Sequence, residues 1–106
     1  GIFQGSKMVE VSFRDADLFR SHFTEADLSR AVFVSADLRG SRFYRASLVR
    51  ADFDSANLLR ADFSRANLER TRFVKANLYD AKFLQAFGSK AEFLDANLKR
   101  AILERS

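Results

Sequence analysis

The sequence contains no cysteine, no proline and no tryptophan, and it has a single histidine, His22. The absence of cysteine excludes disulfide bonds and thiolate metal sites. A lone histidine leaves the many serines and aspartates without a positioned base, so we expect no enzyme activity. The sequence also has no glycine-rich phosphate loop and no cluster of metal ligands, and we therefore predict no cofactor and no metal site. His22 is interpreted as an ordinary surface residue.

A long apolar run is also missing. No segment approaches the roughly 20 apolar residues that cross a bilayer, so we expect no membrane span. No charged stretch followed by an apolar one begins the chain, as in a signal peptide, and a cytoplasmic location is therefore favoured. The first residue is Gly1 instead of methionine. This start is compatible with a processed form or a fragment of a longer protein.

Phenylalanine is abundant, with 12 copies in 106 residues, and these side chains require a buried location. The length is that of one domain, which we expect to cover residues 1–106. The formal net charge of +4 is mild. By itself it is weak evidence for an anionic partner.

A five-residue register extends along almost the whole chain and is clearest in residues 51–80, ADFDS ANLLR ADFSR ANLER TRFVK ANLYD. The first residue of each block is small, the second is mostly Asp or Asn, and the third alternates between Phe and Leu. An α-helix does not fit, because successive third-place residues would move about 140° around its axis. The two steps from the small residue to the large one match strand alternation, and the remaining three steps require a bend. The register therefore predicts an all-β solenoid with a continuous apolar interior.

The alternation of Phe and Leu predicts how many blocks form one coil. Phe stacks on Phe only if each coil holds an even number of blocks, and four blocks, or 20 residues, are the smallest even number that encloses an interior. The 21 blocks then give about five coils. The predicted core consists of two Phe columns and two Leu columns: Phe13, Phe23, Phe33, Phe43, Phe53, Phe63, Phe73, Phe83, Phe93, Leu18, Leu28, Leu38, Leu48, Leu58, Leu68, Leu78 and Leu98.

Blocks such as Ala16-Asp17-Leu18, Ala56-Asn57-Leu58 and Ala96-Asn97-Leu98 match the A(D/N)LXX motif literally. The chain thereby resembles the pentapeptide-repeat family over essentially its whole length. The resemblance implies a right-handed quadrilateral parallel β-helix with four blocks per coil. It implies no single activity, because some members are DNA mimics that bind DNA gyrase and protect it from quinolones or toxins, whereas others are regulators, effectors or modules of larger proteins.

Cations recur every 20 residues at the fifth place of the block, which predicts a stacked basic column of Arg30, Arg50, Arg70 and Lys90. Arg45 and Arg65 form a shorter neighbouring column, with Arg105 beyond. Such cations could bind an acidic protein or phosphates. The alternative, which we favour for the column taken alone, is a solvated face whose Arg stems cover the apolar wall.

Two further features are candidates for contact with a partner. Phe19, Leu59 and Tyr79 share a fourth-place column and predict an outer apolar strip that Arg39 interrupts. Gly88 occupies a place where Leu is expected, and it follows Phe87. We expect a bulge in which Phe87 turns inward to fill the vacant space, and the alternative is an exposed aromatic at a docking spot.

The Asp and Asn residues at the second place are expected to hydrogen-bond the backbone at the bends, not to bind a cation. We predict a non-enzymatic scaffold or interaction module that presents stacked surface columns to a protein partner. The alternative is a DNA mimic that protects gyrase or topoisomerase, which the positive net charge disfavours. Nucleic-acid binding is not expected, because no exposed aromatics are interleaved with the cations. The apolar residues near the C-terminus suggest end-to-end stacking of two copies.

Overall fold

The fold is built from parallel β-bridges between residues 20 positions apart. The structure is a computed structural model that describes residues 2–103. Each bridge is a single residue long, and within the described range there is no helix and no longer strand. None of these residues therefore belongs to a helix that could cross a membrane. The bridges form four ladders, which we number in chain order: Ile2-His22-Arg42-Asp62-Lys82-Ile102, Lys7-Asp27-Ser47-Asn67-Phe87, Ser12-Val32-Asp52-Arg72-Glu92 and Asp17-Asp37-Asn57-Asn77-Asn97. Each ladder, with the fourth-place residues beside it, is called a face below.

Backbone hydrogen bonds hold each block to the coil before it and the coil after it. In the block that contains Leu48, the N–H of Ser47 donates to the carbonyl of Ala26, at 2.9 Å. The N–H of Leu48 donates forward to Asn67 at 2.9 Å, and that of Arg50 donates to the following coil at the same distance. The same pattern recurs along the chain, so the bridges join residues 20 positions apart in every ladder.

A tight turn between blocks accounts for the bend that the sequence requires. The N–H of Ala51 donates to the carbonyl of Leu48 at 2.9 Å, which closes a four-residue turn. The fifth-place residue of the turn has a positive φ, 60° at Arg50 and 59° at Lys75. A positive φ at the third residue of a turn is typical of type II. Every fifth-place residue from 5 to 100 shares this conformation.

The interior consists of stacked rings and aliphatic side chains. The ring of Phe33 stacks on that of Phe53 with centroids 4.7 Å apart and planes 2° from parallel. The second Phe column meets the first edge to face, as between Phe53 and Phe63 at 5.6 Å and 86°. Edge-to-face and offset-stacked pairs are the favoured aromatic geometries. The third-place residues from Phe23 to Phe83 are buried, and Phe3, Met8, Phe13, Phe93 and Leu98 at the two ends are partly exposed.

Small first-place residues make room for these rings. Ala fills most first places and is almost fully buried between residues 26 and 86. Ser41 and Thr71 replace Ala there, and their hydroxyls donate to the carbonyls of Leu18 at 3.0 Å and Leu48 at 2.7 Å. Their polar atoms are therefore satisfied within the wall of the solenoid.

The prediction of an inward Phe87 is wrong. Phe87 keeps its bridge to Asn67, so the register continues without a bulge, and its side chain is 56% exposed. The backbone of Gly88 instead comes close to the preceding coil, where an added Cβ would lie 2.5 Å from the backbone nitrogen of Glu69. A hollow of about 190 Å³ remains beside Gly88, and Phe83 and Phe93 are among the residues that line it.

Candidate functional site

The second face lies between the two basic columns. Its blocks, such as residues 46–50, begin directly after Arg45 and end at Arg50. One coil later the same relation holds for Arg65 and Arg70. The 20-residue bridges Ser47–Asn67 and Asn67–Phe87 keep these blocks stacked. The structure therefore brings Arg45 and Arg65 to one border of this face, and Arg30, Arg50, Arg70 and Lys90 to the other.

All six cations are exposed to solvent. Within residues 2–103 none of them forms an ion pair with a carboxylate. The Nε of Arg65 donates to Oε1 of Gln85 at 2.8 Å, and the guanidinium of Arg45 lies 5.4 Å from the centroid of the Tyr44 ring. Both contacts are with neutral groups, so neither guanidinium charge is neutralised by them. Arg105 lies outside the described residues.

Short side chains form the floor of the second face. The hydroxyl of Ser29 donates to Oδ1 of Asp27 at 2.8 Å and lies 3.2 Å from the hydroxyl oxygen of Ser47. Val49 is half-buried beside them. Because no long side chain stands in this part of the floor, the cations at the two borders project beyond it.

Glu69 is the acidic residue at the centre of the second face. The hydroxyl of Ser89 donates to its Oε2 at 2.7 Å. This hydrogen bond and that from the Ser89 N–H lower the pKa of Glu69, and the positive charges of Arg70 and Lys90 lower it further. Glu69 is therefore ionised at neutral pH and offsets part of the positive charge near Arg70 and Lys90.

The third face has charges of alternating sign, unlike the basic column. Asp52, Arg72 and Glu92 are consecutive members of its bridge ladder. Arg72 lies 2.9 Å from Asp54 and 3.0 Å from Glu92, and these contacts raise the pKa of its guanidinium. Burial raises the pKa of Asp52, and the hydrogen bond from the Asp54 N–H opposes that rise. The positive charge of Arg72 is thus already neutralised within the molecule.

The proposed apolar strip lies on the fourth face and is partly covered by guanidinium groups. Phe19 is 49% exposed, with Arg39 and Arg20 at 5.0 and 5.2 Å from its ring centroid. Arg39 also forms a two-pronged contact with Asp37, at 2.8 and 2.7 Å, which lowers the pKa of that carboxyl. Leu59 and Tyr79 are half-buried. The column therefore contains separated apolar patches and no continuous surface.

In a regular block the N–H of the fourth-place residue takes part in neither a bridge nor a turn. The side chain of the second-place Asp or Asn accepts this N–H. Oδ1 of Asn67 accepts the N–H of Glu69 at 3.1 Å, and Oδ1 of Asp62 accepts that of Ser64 at 2.9 Å. On the fourth face Nδ2 of Asn77 also donates to Asn57 at 3.1 Å. These contacts give the second-place pattern a structural cause. Across residues 2–103 no group of three or more His, Asp or Glu side chains is arranged to hold a metal ion.

A depression on the first face is the surface feature that sequence reasoning missed. Tyr44 and Leu84 stand at its two ends, and the buried Ser64 lies low between them. Its volume is about 450 Å³, and a neighbouring hollow of about 420 Å³ shares Asp62 and Lys82 with it. The available signal was the first bridge ladder, where His22, Arg42 and Lys82 depart from the Asp/Asn pattern.

Single-residue parallel bridges, tight turns and small-Asx-Leu blocks define a β-helical repeat protein. A family model for pentapeptide repeats matches eight copies, over residues 3–33, 31–70, 46–85 and 71–106. The chain therefore belongs to the pentapeptide-repeat family, and the prediction from the A(D/N)LXX blocks is confirmed.

Solved structures of this family are similar to the chain. A pentapeptide repeat protein from the Arabidopsis thaliana thylakoid lumen is 31% identical with a TM-score of 0.77, over 93% of this chain and 66% of its own. HetL, involved in heterocyst differentiation regulation in the cyanobacterium Nostoc sp. strain PCC 7120, is 25% identical with a TM-score of 0.41, over 95% and 59%. A trypsin-treated form of QnrB1, a plasmid-mediated fluoroquinolone resistance protein, is 18% identical with a TM-score of 0.46, over 93% and 66%. No curated protein matches the chain.

Proposed function

We propose that this chain is a non-enzymatic interaction module that binds an acidic protein partner through its basic columns. In this proposal residues 1–106 form one domain, a right-handed quadrilateral parallel β-helix of about five coils. The rigid wall holds the cations in a fixed register. The partner supplies carboxylates to these six cations, which form no ion pair within the described residues.

The stacking of four like charges is the observation that carries the proposal. Arg30, Arg50, Arg70 and Lys90 occupy one column with about 4.8 Å between successive backbones. Two unit charges about 5 Å apart in water repel by about 0.8 kcal/mol before screening by salt. The third face avoids this repulsion by alternating Asp52, Arg72 and Glu92. Four like charges without an ion pair give the fold no electrostatic stabilisation, which supports a role in binding.

Mimicry of DNA is the less supported candidate. A DNA mimic requires a flank of regularly spaced negative charge. Within the described residues, Asp17 and Asp37 are the longest run of stacked carboxylates in any column, and Arg39 neutralises Asp37. Asn57 and Asn77 then continue the ladder without charge. A supercoiling assay of DNA gyrase with and without a quinolone tests this candidate directly, and protection by the chain would overturn our preference.

Retention on immobilised polyglutamate tests the proposed function. The first variant combines Arg30→Glu, Arg50→Glu and Arg70→Glu. The matched control combines Arg14→Glu, Lys75→Glu and Lys99→Glu, which are exposed residues of the third face, of its far border and of the fourth face. Both variants have the same net charge. We expect the first to elute at clearly lower salt than the control.

Two results would contradict the proposal. Equal loss of retention in both variants would show that net charge alone causes the attraction. Stronger retention of the unmodified chain on duplex DNA than on polyglutamate, at the same salt, would indicate a nucleic-acid partner.

End-to-end association of two copies is a separate part of the proposal. Phe87, Ile102 and Leu103 are exposed at the C-terminal end of the described coils, next to the apolar hollow beside Gly88. Exposed apolar surface of this kind favours contact with another apolar surface. We expect light scattering to detect a dimer of residues 1–106 at high concentration, and Phe87→Ser to weaken it. A strict monomer at every concentration would contradict this part.

A further inference from the structure

We propose that the acidic element of the partner is an α-helix that lies along the solenoid axis on the second face, between the two basic columns. This inference rests on the proposed function, since it specifies the partner of the same cations. It depends on three properties of the second face: its width, the axial spacing of its cations and the presence of cations at both borders.

The width of the second face fits a helix. Arg45 and Arg50 are five residues apart along the chain, so their backbones are at most about 18 Å apart. An α-helix with its side chains is about 10–12 Å wide. The floor carries only short side chains around Ser47 and Val49, whereas Glu69 and the exposed Phe87 carry longer side chains in the following coils. The width of a helix lies within this upper limit, and Arg side chains would then lie along both of its flanks.

The axial spacing of the cations favours a helix over an extended strand. Successive members of the basic column are about 4.8 Å apart, so four of them span about 14 Å. Carboxylates one helical turn apart advance about 5.4 Å, or about 16 Å over three turns. Carboxylates on one side of a strand advance about 6.8 Å, or about 20 Å over three steps. The helix thus stays in register with all four cations, whereas the strand moves out of register by more than one interval.

Cations at both borders determine the pattern that the helix needs. Arg45 and Arg65 face one flank, and the basic column faces the other. Acidic residues at i, i+3, i+4, i+7 and i+8 form a stripe on one side of a helix and reach both flanks. Because the contacts at the two borders join exposed charges, we expect the affinity to depend strongly on salt.

Synthetic peptides test the inference on the intact chain. The striped peptide is an alanine-based helix with Glu at i, i+3, i+4, i+7, i+8 and i+11. The scattered peptide has the same composition with Glu spread around the helix. The broken peptide keeps the stripe but has two central prolines, which disrupt the helix. Fluorescence anisotropy measures the Kd, and circular dichroism measures helix content.

We expect the striped peptide to bind about tenfold more tightly than either control peptide, because only the striped helix presents its carboxylates to both borders at once. Arg50→Glu and Arg65→Glu, one on each border, should each weaken the striped peptide by about fivefold or more. Arg14→Glu, an exposed change on the third face, should change its Kd by less than about twofold.

The outcomes separate the inference from the proposed function. Equal binding of the broken or scattered peptide would overturn the helix and leave the acidic partner in place. An effect of Arg50→Glu without an effect of Arg65→Glu would also overturn the helix, since only one border would be used. Binding of none of the peptides, together with no retention on polyglutamate, would overturn both.

Discussion

The interior Phe columns and the basic column obey the same 20-residue repeat with opposite energetic results. Inside, Phe43, Phe63 and Phe83 stack like on like, with ring centroids 4.9 and 5.1 Å apart, and each contact adds to stability. Outside, Arg50 and Arg70 occupy one column, and the repulsion between their like charges costs free energy. Stability therefore accounts for the repetition inside the solenoid and does not account for the repetition of charge on its surface.

The largest expected effect is in the interior. Phe63→Ala removes a fully buried ring that stacks on Phe43 and Phe83. We expect it to lower the free energy of unfolding by about 3–5 kcal/mol, measured by urea denaturation. Phe93→Ala, at a partly exposed ring, is the control and should cost less. A loss below about 1 kcal/mol for Phe63→Ala would show that the stacked rings are not the source of stability.

A substitution in the turn that joins two blocks should have a smaller effect on the free energy of unfolding. Arg50 has a φ of 60°, which a β-branched residue adopts only with strain. Arg50→Val should cost about 1–2 kcal/mol in the same assay, whereas Arg50→Gly removes the same charge without that strain. If the two variants were equally stable, the turn conformation would not limit which residues the surface column accepts.

Substitution of Asp52 is expected to give a small gain in thermal stability. Burial is the main cause that raises its pKa, so its charged form is destabilising in the folded state. This cost appears as pH rises from the ordinary aspartate value of 3.8 through the raised folded pKa, and it is fully present at neutral pH. Asp52→Asn should therefore raise the Tm at pH 7. The difference should shrink as the pH falls and disappear below 3.8. A lower Tm at pH 7 would mean that its charge helps to hold Arg72.

The smallest expected effect belongs to the basic column. Arg50→Glu reverses an exposed charge that forms no ion pair within residues 2–103, and it relieves repulsion from Arg30 and Arg70. We expect the Tm to stay within a few degrees of the unmodified chain, as for most surface changes. A large drop in thermal scans would show that the column supports the fold, and would remove the contrast with the interior.

Most of the fold follows from the sequence because one rule recurs. The small-to-large spacing determines which side chains point inward, and Phe/Leu alternation predicts the 20-residue offset seen from Ile2–His22 to Lys82–Ile102. The rule also holds at Phe87, a second-place residue that keeps its bridge and is exposed, so the expectation of a bulge there was the error. The positive φ at fifth places had a readable signal, since no Val, Ile or Thr occurs there in the sequence.

The positions of the candidate cations could be predicted from the sequence, but not which of them are paired with a carboxylate. Spacing alone placed Arg50 and Arg70 in one column. Whether an Arg is neutralised depends on side chains in adjacent columns, as for Arg39 beside Asp37 and Arg72 beside Asp54. The depression near Ser64 arises from the heights of its neighbours, which the repeat does not encode.

The forward and backward hydrogen bonds, such as those of Ser47 and Leu48 to residues 21 before and 19 after, have a consequence for how this surface could change by duplication. An insertion of five residues would move every following residue to the next bridge ladder and would cut the basic column in two. An insertion of 20 residues would leave each ladder in place and lengthen the column by one cation. Duplication of whole 20-residue units would thus lengthen the basic column by one cation at a time and leave the packing of the interior unchanged.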